Sequence, residues 1–273
     1  MARQIHETAP PVSLRQEAFL RAHHRHHHRI AFCRAFLLLA FLGLWESASR
    51  LSWIDSFFFS SPTGILGYLW QMLSDHSFFT HTSITLLETV LSFLLVTVIS
   101  LLTATLLWYR KSLSEILEPY LVVLNALPKS ALAPLLIVWL GTGTNTIIVA
   151  GISVALFGSI ISLYTGFCQV DPEMCKLIYT LGGNRLNALT KVILPSSIPL
   201  ILSNMKVNIG LSLVGVIIGE FLAARRGLGY LIIYGSQVFQ LSMVITSIII
   251  LCAIAMVFYR LIQGAEHYYK KKY

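Results

Sequence analysis

Six long apolar runs, separated by short polar stretches, set the plan of this chain: residues 30–49, 82–108, 120–140, 146–167, 200–222 and 241–262. Runs of about 20 apolar residues have the length of helices that cross a bilayer. The pattern predicts an all-α integral membrane protein with six transmembrane helices. The second run, at 1.5 Å per residue, is roughly 40 Å long, so its start lies outside the hydrocarbon. The third carries Pro128 and Pro134, each of which removes a backbone donor and bends the helix. Between the first two runs, Ser61-Pro62-Thr63-Gly64 opens a short amphipathic helix over residues 65–73, followed by a loop over 75–81. Residues 115–119 read as a short surface helix, and 141–145 as a tight turn.

Small and polar residues mark the fourth and fifth runs. Gly151, Ala155, Gly158, Ser159, Ser162 and Gly166 give the fourth run small faces for close packing. In the fifth, Asn204, Asn208, Ser212, Gly215 and Gly219 form one polar-to-small stripe. The stripe has two readings: it lines a translocation path, or it makes helix–helix hydrogen bonds beside the Gly215–Gly219 GxxxG.

The longest mixed polar segment, Asp171 to Pro199, separates the fourth and fifth runs. Asp171 reads as a helix N-cap and Pro172 as the first helical residue. Met174, Leu177, Ile178 and Leu181 then share one face at helical spacing. Gly182 and Gly183 end this helix, because glycine accepts the left-handed conformation past a helix end. Asn184 caps a second short helix, which Pro195 closes. The segment is therefore a helix–glycine–helix hairpin, either lying on lipid headgroups or docking as a knob into a groove of a soluble partner.

Composition agrees with a membrane protein, since the chain is 56% hydrophobic and only 12% charged, less polar surface than a soluble domain carries. The formal charge of +8 is first a topology signal. Fourteen Lys and Arg residues fall on the side of the two termini and the hairpin, against three on the other: Arg50, Arg225 and Arg226. The positive-inside rule puts both termini and the hairpin in the cytoplasm of a multi-pass cytoplasmic-membrane protein. Residues 50–81 and 223–240 then face outside. Residues 1–29 form a basic His/Arg-rich cytoplasmic tail near anionic lipid, 30–60 the first span and its outer flank, 61–263 the main transmembrane domain, and 264–273 a second basic tail. No nucleic-acid partner is implied. The four cysteines show no CxxC spacing and read as reduced and structural.

Ionisable residues inside spans are functional candidates. Glu46 and Glu88 lie near outer ends, where water reaches them. Lys129 and Lys206 sit in inner halves and snorkel to headgroups or face a path. Glu220 ends the fifth run and reaches the outer interface or pairs with Arg225. No GxxxxGK[ST] loop is present to cradle ATP phosphates. No catalytic cluster stands out, so the chain reads as no enzyme and holds no cofactor. A secondary transporter or channel independent of ATP is the alternative class, but paired mid-membrane acids or inverted repeats are not evident.

Several motifs resemble one family. Gly182 followed by Val192-Ile193-Leu194-Pro195 resembles the EAA loop of ABC importer permeases, as do the preceding Asp171-Pro172-Glu173 and Thr180-Leu181-Gly182. Lys176, Leu177 and Ile178 replace the name-giving triplet. Residues 127–143 and 219–232 resemble the proline-rich third span and the outer segment of the sulfonate, nitrate, taurine and thiamine-precursor branch. The resemblance spans about residues 61–262. It implies a type I ABC importer permease fold with a cytoplasmic coupling-helix loop, and a homodimer joined by two cytoplasmic ATPase subunits that bind the ATP. An extracytoplasmic solute-binding protein would deliver a small-molecule substrate. On this resemblance Asp171, Glu173, Leu181, Gly182, Leu194 and Pro195 belong to the coupling loop. The candidate path residues are Asn204, Asn208, Ser212, Lys129 and Glu220.

Overall fold

The computed structural model describes residues 30, 32–34, 36–37, 39–53 and 59–272, and every regular element among them is helical. The histidine-rich stretch of the N-terminal tail lies outside the described residues. The chain divides into two units, residues 1–63 and 64–273. In the first, α1 (Phe32–Arg50) is long and apolar enough to span a membrane. Glu46 on this helix is not simply solvated: it accepts from Arg50 Nε at 2.7 Å and from Thr63 Oγ1 at 3.0 Å.

At the boundary, Pro62 starts α2 (Pro62–Ser74), as proline's fixed φ favours at a first helical position. The second unit holds the bundle. Its long helices are α3 (Ser77–Tyr109), α6 (Thr144–Cys168), α9 (Ile198–Ala223) and α11 (Leu241–Lys272). α3 begins five residues before the expected start, because Asp75 Oδ1 accepts the Ser77 amide at 3.0 Å and seeds the first turn. The Ser77 hydroxyl, with that amide adding to it, holds the Asp75 carboxyl below the usual carboxylate range. α11 runs through the expected C-terminal tail, to Lys272.

The third apolar run is not one bent helix. It breaks into α4 (Lys111–Ala126) and α5 (Lys129–Leu140), whose axes differ by 97°. Leu127, held extended at ψ 137° before Pro128, makes the break, since proline excludes the helical conformation from the residue before it. Pro134 sits inside α5 and Pro119 inside α4 without ending either. The expected surface helix at 115–119 is thus part of α4. Counting the broken pair as one crossing, the described residues supply six candidate spans.

α6 is the centre of the bundle, packed against α9, α3 and α5. Small residues let α6 and α9 approach closely. A Cβ on Gly215 would lie 2.8 Å from Ala150 O, and one on Gly219 2.9 Å from Ile147 Cα. The Gly215–Gly219 pair is therefore a helix-packing device. The outward faces are apolar, with Leu87, Leu94, Val98, Leu102, Val207 and Val214 exposed, as lipid contact requires.

Candidate functional site

The hairpin forms as its sequence predicts in its first arm. Asp171 Oδ1 accepts the Glu173 amide at 2.9 Å and caps α7 (Pro172–Thr180). Gly182 adopts φ +80°. Its N–H reaches Tyr179 O at 3.1 Å, and the Gly183 N–H reaches Ile178 O at 2.8 Å, closing the orphan carbonyls of α7. Asn184 Oδ1 accepts the Asn187 amide at 2.9 Å and caps α8 (Arg185–Ala188).

The second arm differs from expectation. Pro195 does not close it. The chain passes from α8 through a π turn (Leu189–Ile193) and one further turn (Leu194–Ser196) into α9. Leu194 donates back to Leu189 O, five residues behind. Widening the helix in this way is how it accommodates a proline that can neither donate nor fit the tighter ladder.

The two arms have opposite environments. Leu189 and Ile193 are buried with Ala104, Leu163 and Phe167, and Leu194 packs partly buried beside them. Arg185 Nη2 donates to Trp108 O at 2.8 Å, and its guanidinium lies 5.4 Å from the Trp108 ring centroid. The second arm is thereby fixed to α3 and α6. The first arm is far more exposed: Cys175 packs partly buried against that cluster, but Met174, Leu177 and Leu181 are 51%, 59% and 76% exposed. Glu173 forms an exposed ion pair with Lys176 at 2.6 Å, so the residue that replaces the usual glutamate of the triplet position makes its own local pair. Partial burial, with the Asp171 charge adding to it, pushes the Cys175 thiol up and keeps it a poor nucleophile.

The fifth-run stripe lies in a helix contact. Ser159 Oγ donates to Asn204 Oδ1 at 2.7 Å, and Asn208 Nδ2 reaches Ser159 Oγ at 2.9 Å and Asn204 Oδ1 at 2.7 Å. Ser212 is completely buried. Asn204 and Asn208 thus face Ser159 of α6, because unpaired amides in hydrocarbon are costly and a facing serine satisfies them, whereas the buried Ser212 hydroxyl makes no hydrogen bond.

Both lysines have partners within the protein. Lys129 Nζ donates to Asn125 O at 3.1 Å and to Leu124 O, covering the carbonyls left by the 97° break. Lys206 pairs with Glu266 of α11 near the Tyr259 ring, a partner sixty residues away that no local pattern announces. Removing one member of a buried pair leaves the other charge uncompensated. Lys206→Met is expected to lower the stability of the solubilised protein by about 3 kcal/mol, and Lys206→Met with Glu266→Leu to recover most of it. Thermal unfolding of the two variants against wild type checks this.

At the end of the bundle away from the hairpin, Glu220 is fully buried and does not pair with Arg225. Its carboxylate accepts from Thr85 Oγ1 at 2.6 Å and from the Gly229 amide at 2.5 Å. Thr85 Oγ1 in turn accepts the Leu228 amide at 2.9 Å, and His81 Nδ1 accepts the Gly227 amide at 3.0 Å. α3 and α9 together hold the N-terminus of α10 (Leu228–Gln237), a helix within the segment 223–240 expected to face outside. The acidic side chain suits the positive end of a helix. Glu88 is also buried, 1% exposed, and stands beside Glu220, not in water.

Residues 96–266 match the family described as the binding-protein-dependent transport system inner membrane component. A probable ABC transporter permease protein of Haemophilus influenzae is 30% identical over 83% of this chain and 91% of its own length. The riboflavin transport system permease protein RibX of Chloroflexus aurantiacus is 28% identical over 81% and 83%. The formylaminopyrimidine transport permease protein ThiX of Halalkalibacterium halodurans is 27% identical over 71% and 76%. In fold, an inward-facing MetNI methionine ABC transporter chain superposes with a TM-score of 0.61 at 17% identity, over 67% of this chain and 92% of that one. The helix order, the capped hairpin between α6 and α9 and these matches agree, and the chain belongs to the inner-membrane permease components of binding-protein-dependent ABC importers.

Proposed function

We propose that this permease works as a homodimer in the cytoplasmic membrane, with both termini inside, and that two ATPase subunits dock on the α7–α8 hairpins. The exposed apolar face of α7, on a hairpin whose other arm is sunk in the bundle, carries the reading. Met174, Leu177 and Leu181 are an unpaid hydrophobic surface at the tip of a rigid lever, and an apolar helix face of this kind fits a groove on a protein. A solute-binding protein meets the opposite end. The relatives are named for riboflavin, for formylaminopyrimidine and for aliphatic sulfonates; the substrate here is a small solute, an organic or inorganic anion of the sulfonate, nitrate or taurine kind or a thiamine precursor.

ATP is bound and hydrolysed by the partner, since the chain carries no phosphate-cradling loop. The purified chain alone is expected to show no ATP turnover above a buffer control; robust hydrolysis with contaminants excluded overturns this division of labour. Docking is tested with single cysteines at Thr180 or Asn184 in a cysteine-free background. Crosslinks to the ATPase are expected. Labelling of these positions only from outside intact cells reverses the topology and removes the hairpin from the coupling role.

A further inference from the structure

A pocket of about 580 Å³ opens at the hairpin end of the bundle, at the corner where α3 passes into α4. Arg110, Lys111 and Arg185 line it, together with Leu106, Tyr109, Leu113 and Ile116. The wall is therefore both cationic and apolar. Arg110 and Lys111 sit exposed at the corner itself, and Arg185 comes from α8 of the hairpin. Arg185 gives one N–H to Trp108 O, which leaves most of its five donors for another acceptor. No carboxylate stands among the lining residues. Lys111 approaches Glu115 at 3.8 Å in an exposed contact, but that sets one negative charge against three positive ones. Like charges held around one pocket repel, and a shared counter-anion relieves them. Guanidinium groups match phosphate oxygens in particular.

The apolar half of the wall selects the kind of phosphate. Leu106 and Tyr109 end an exposed stripe on α3 that begins with Leu95, Val98 and Leu102. Steps of three and four residues keep the stripe on one face. Its length, roughly 20 Å at 1.5 Å per residue, covers the hydrocarbon depth of one leaflet, about 15 Å. A free phosphate ion would leave this face bare. A phospholipid covers it with an acyl chain while its headgroup fills the basic pocket, as anionic headgroups do at the cytoplasmic ends of membrane helices.

We propose that this pocket seats the phosphate of an anionic glycerophospholipid, with Arg110, Lys111 and Arg185 around it and an acyl chain along the α3 stripe. Because Arg185 belongs to the hairpin and Arg110 to the α3–α4 corner, the lipid straps the root of the hairpin to the bundle. The assignment goes beyond ATPase docking and is read on the chain alone, so either reading can fail without the other.

The test uses the full chain with Trp45→Phe, Trp53→Phe, Trp70→Phe and Trp139→Phe, so that Trp108, which lies against Arg185, is the remaining tryptophan. It is placed in phosphatidylcholine nanodiscs in which about one lipid in five is phosphatidylglycerol, with one of the two lipids brominated high in its chains. Brominated phosphatidylglycerol is expected to quench Trp108 about threefold more per lipid than brominated phosphatidylcholine. Arg110→Gln with Lys111→Gln is expected to erase that preference with thermal unfolding unchanged. Lys176→Gln with Lys191→Gln removes the same charge from the hairpin outside the pocket, and is expected to keep it. Equal quenching by the two lipids overturns the site, and so does a preference that survives the pocket variant. Loss of the preference in the Lys176 and Lys191 variant as well reduces it to diffuse attraction and overturns the site too. Relief of the quench by inorganic phosphate would give the pocket to a free anion, and relief by added ATPase would give it to an acidic protein face; either result removes the lipid.

Discussion

Gly182→Val is expected to insert into the membrane at normal level yet bind the ATPase at least tenfold more weakly, with matching loss of ATP hydrolysis in the reconstituted complex. Gly182 holds φ +80°, a conformation that costs a residue with a Cβ roughly 1–2 kcal/mol, and a β-branched residue more. Space is not the difficulty, since a Cβ there meets nothing within 4 Å. The damage comes through the backbone. If φ shifts, the N–H groups of Gly182 and Gly183 leave Tyr179 O and Ile178 O. The last turn of α7 then opens, and Leu181, 76% exposed, is no longer aimed with Met174 and Leu177. The spans do not depend on this turn, because the buried contacts of the hairpin come from the second arm. Gly182→Asn, which tolerates the left-handed region, is the control and should retain most binding. Co-purification of the Val variant with the ATPase at wild-type yield would show that the hairpin is not the docking element.

How far the sequence reached follows from the range of the interactions involved. Asp171, Gly182 and Asn184 were readable because capping and a helix-ending glycine act over two to four residues. The spans were readable because bilayer thickness dictates their length. Pro128 announced a bend, but its sharpness was not legible. A proline inside a transmembrane helix is often accommodated, and Pro119 and Pro134 in this chain are; only the extended Leu127 separates the two cases. The roles of charged residues were missed for a different reason. Lys206 with Glu266, and Glu220 with Thr85 and Gly229, are pairings between helices, and helical spacing within one segment carries no trace of them. The Asn204–Asn208–Ser212 stripe was visible as a stripe, yet whether water or Ser159 faces it depends on which helix packs there. Gly215 and Gly219 held the relevant signal: a small-residue pair on the same face draws a helix in, and α6 is that helix.

Glu220→Ala is expected to lower the stability of the solubilised permease by about 3 kcal/mol and to loosen residues 223–240, whereas Glu220→Gln costs only about 1 kcal/mol. Alanine removes the acceptor of the Gly229 amide and leaves that N–H buried without a partner. It also empties space in a wall where Glu220 was wholly enclosed. Glutamine can rebuild the knot. Its oxygen accepts from Gly229 and its NH2 donates to Thr85 Oγ1, whose hydroxyl keeps His81 O at 3.2 Å as an acceptor. What glutamine loses is the negative charge at the start of α10. The same knot forbids a side chain at Gly229, where a Cβ would lie 2.7 Å from Glu220 Oε2 and 3.1 Å from Ile217 O. The carboxylate can retreat from such a contact only by releasing Thr85, and the backbone oxygen cannot retreat at all. Gly229→Ala should therefore approach the loss seen for Glu220→Ala, and the double variant should cost far less than the sum, because both break one network. Thermal unfolding and protease cutting within residues 223–240 measure these effects together. Glu220→Ala unfolding within about 0.5 kcal/mol of wild type, with the segment uncut, would mean that α10 is held by its apolar contacts with α11 and not by this carboxylate.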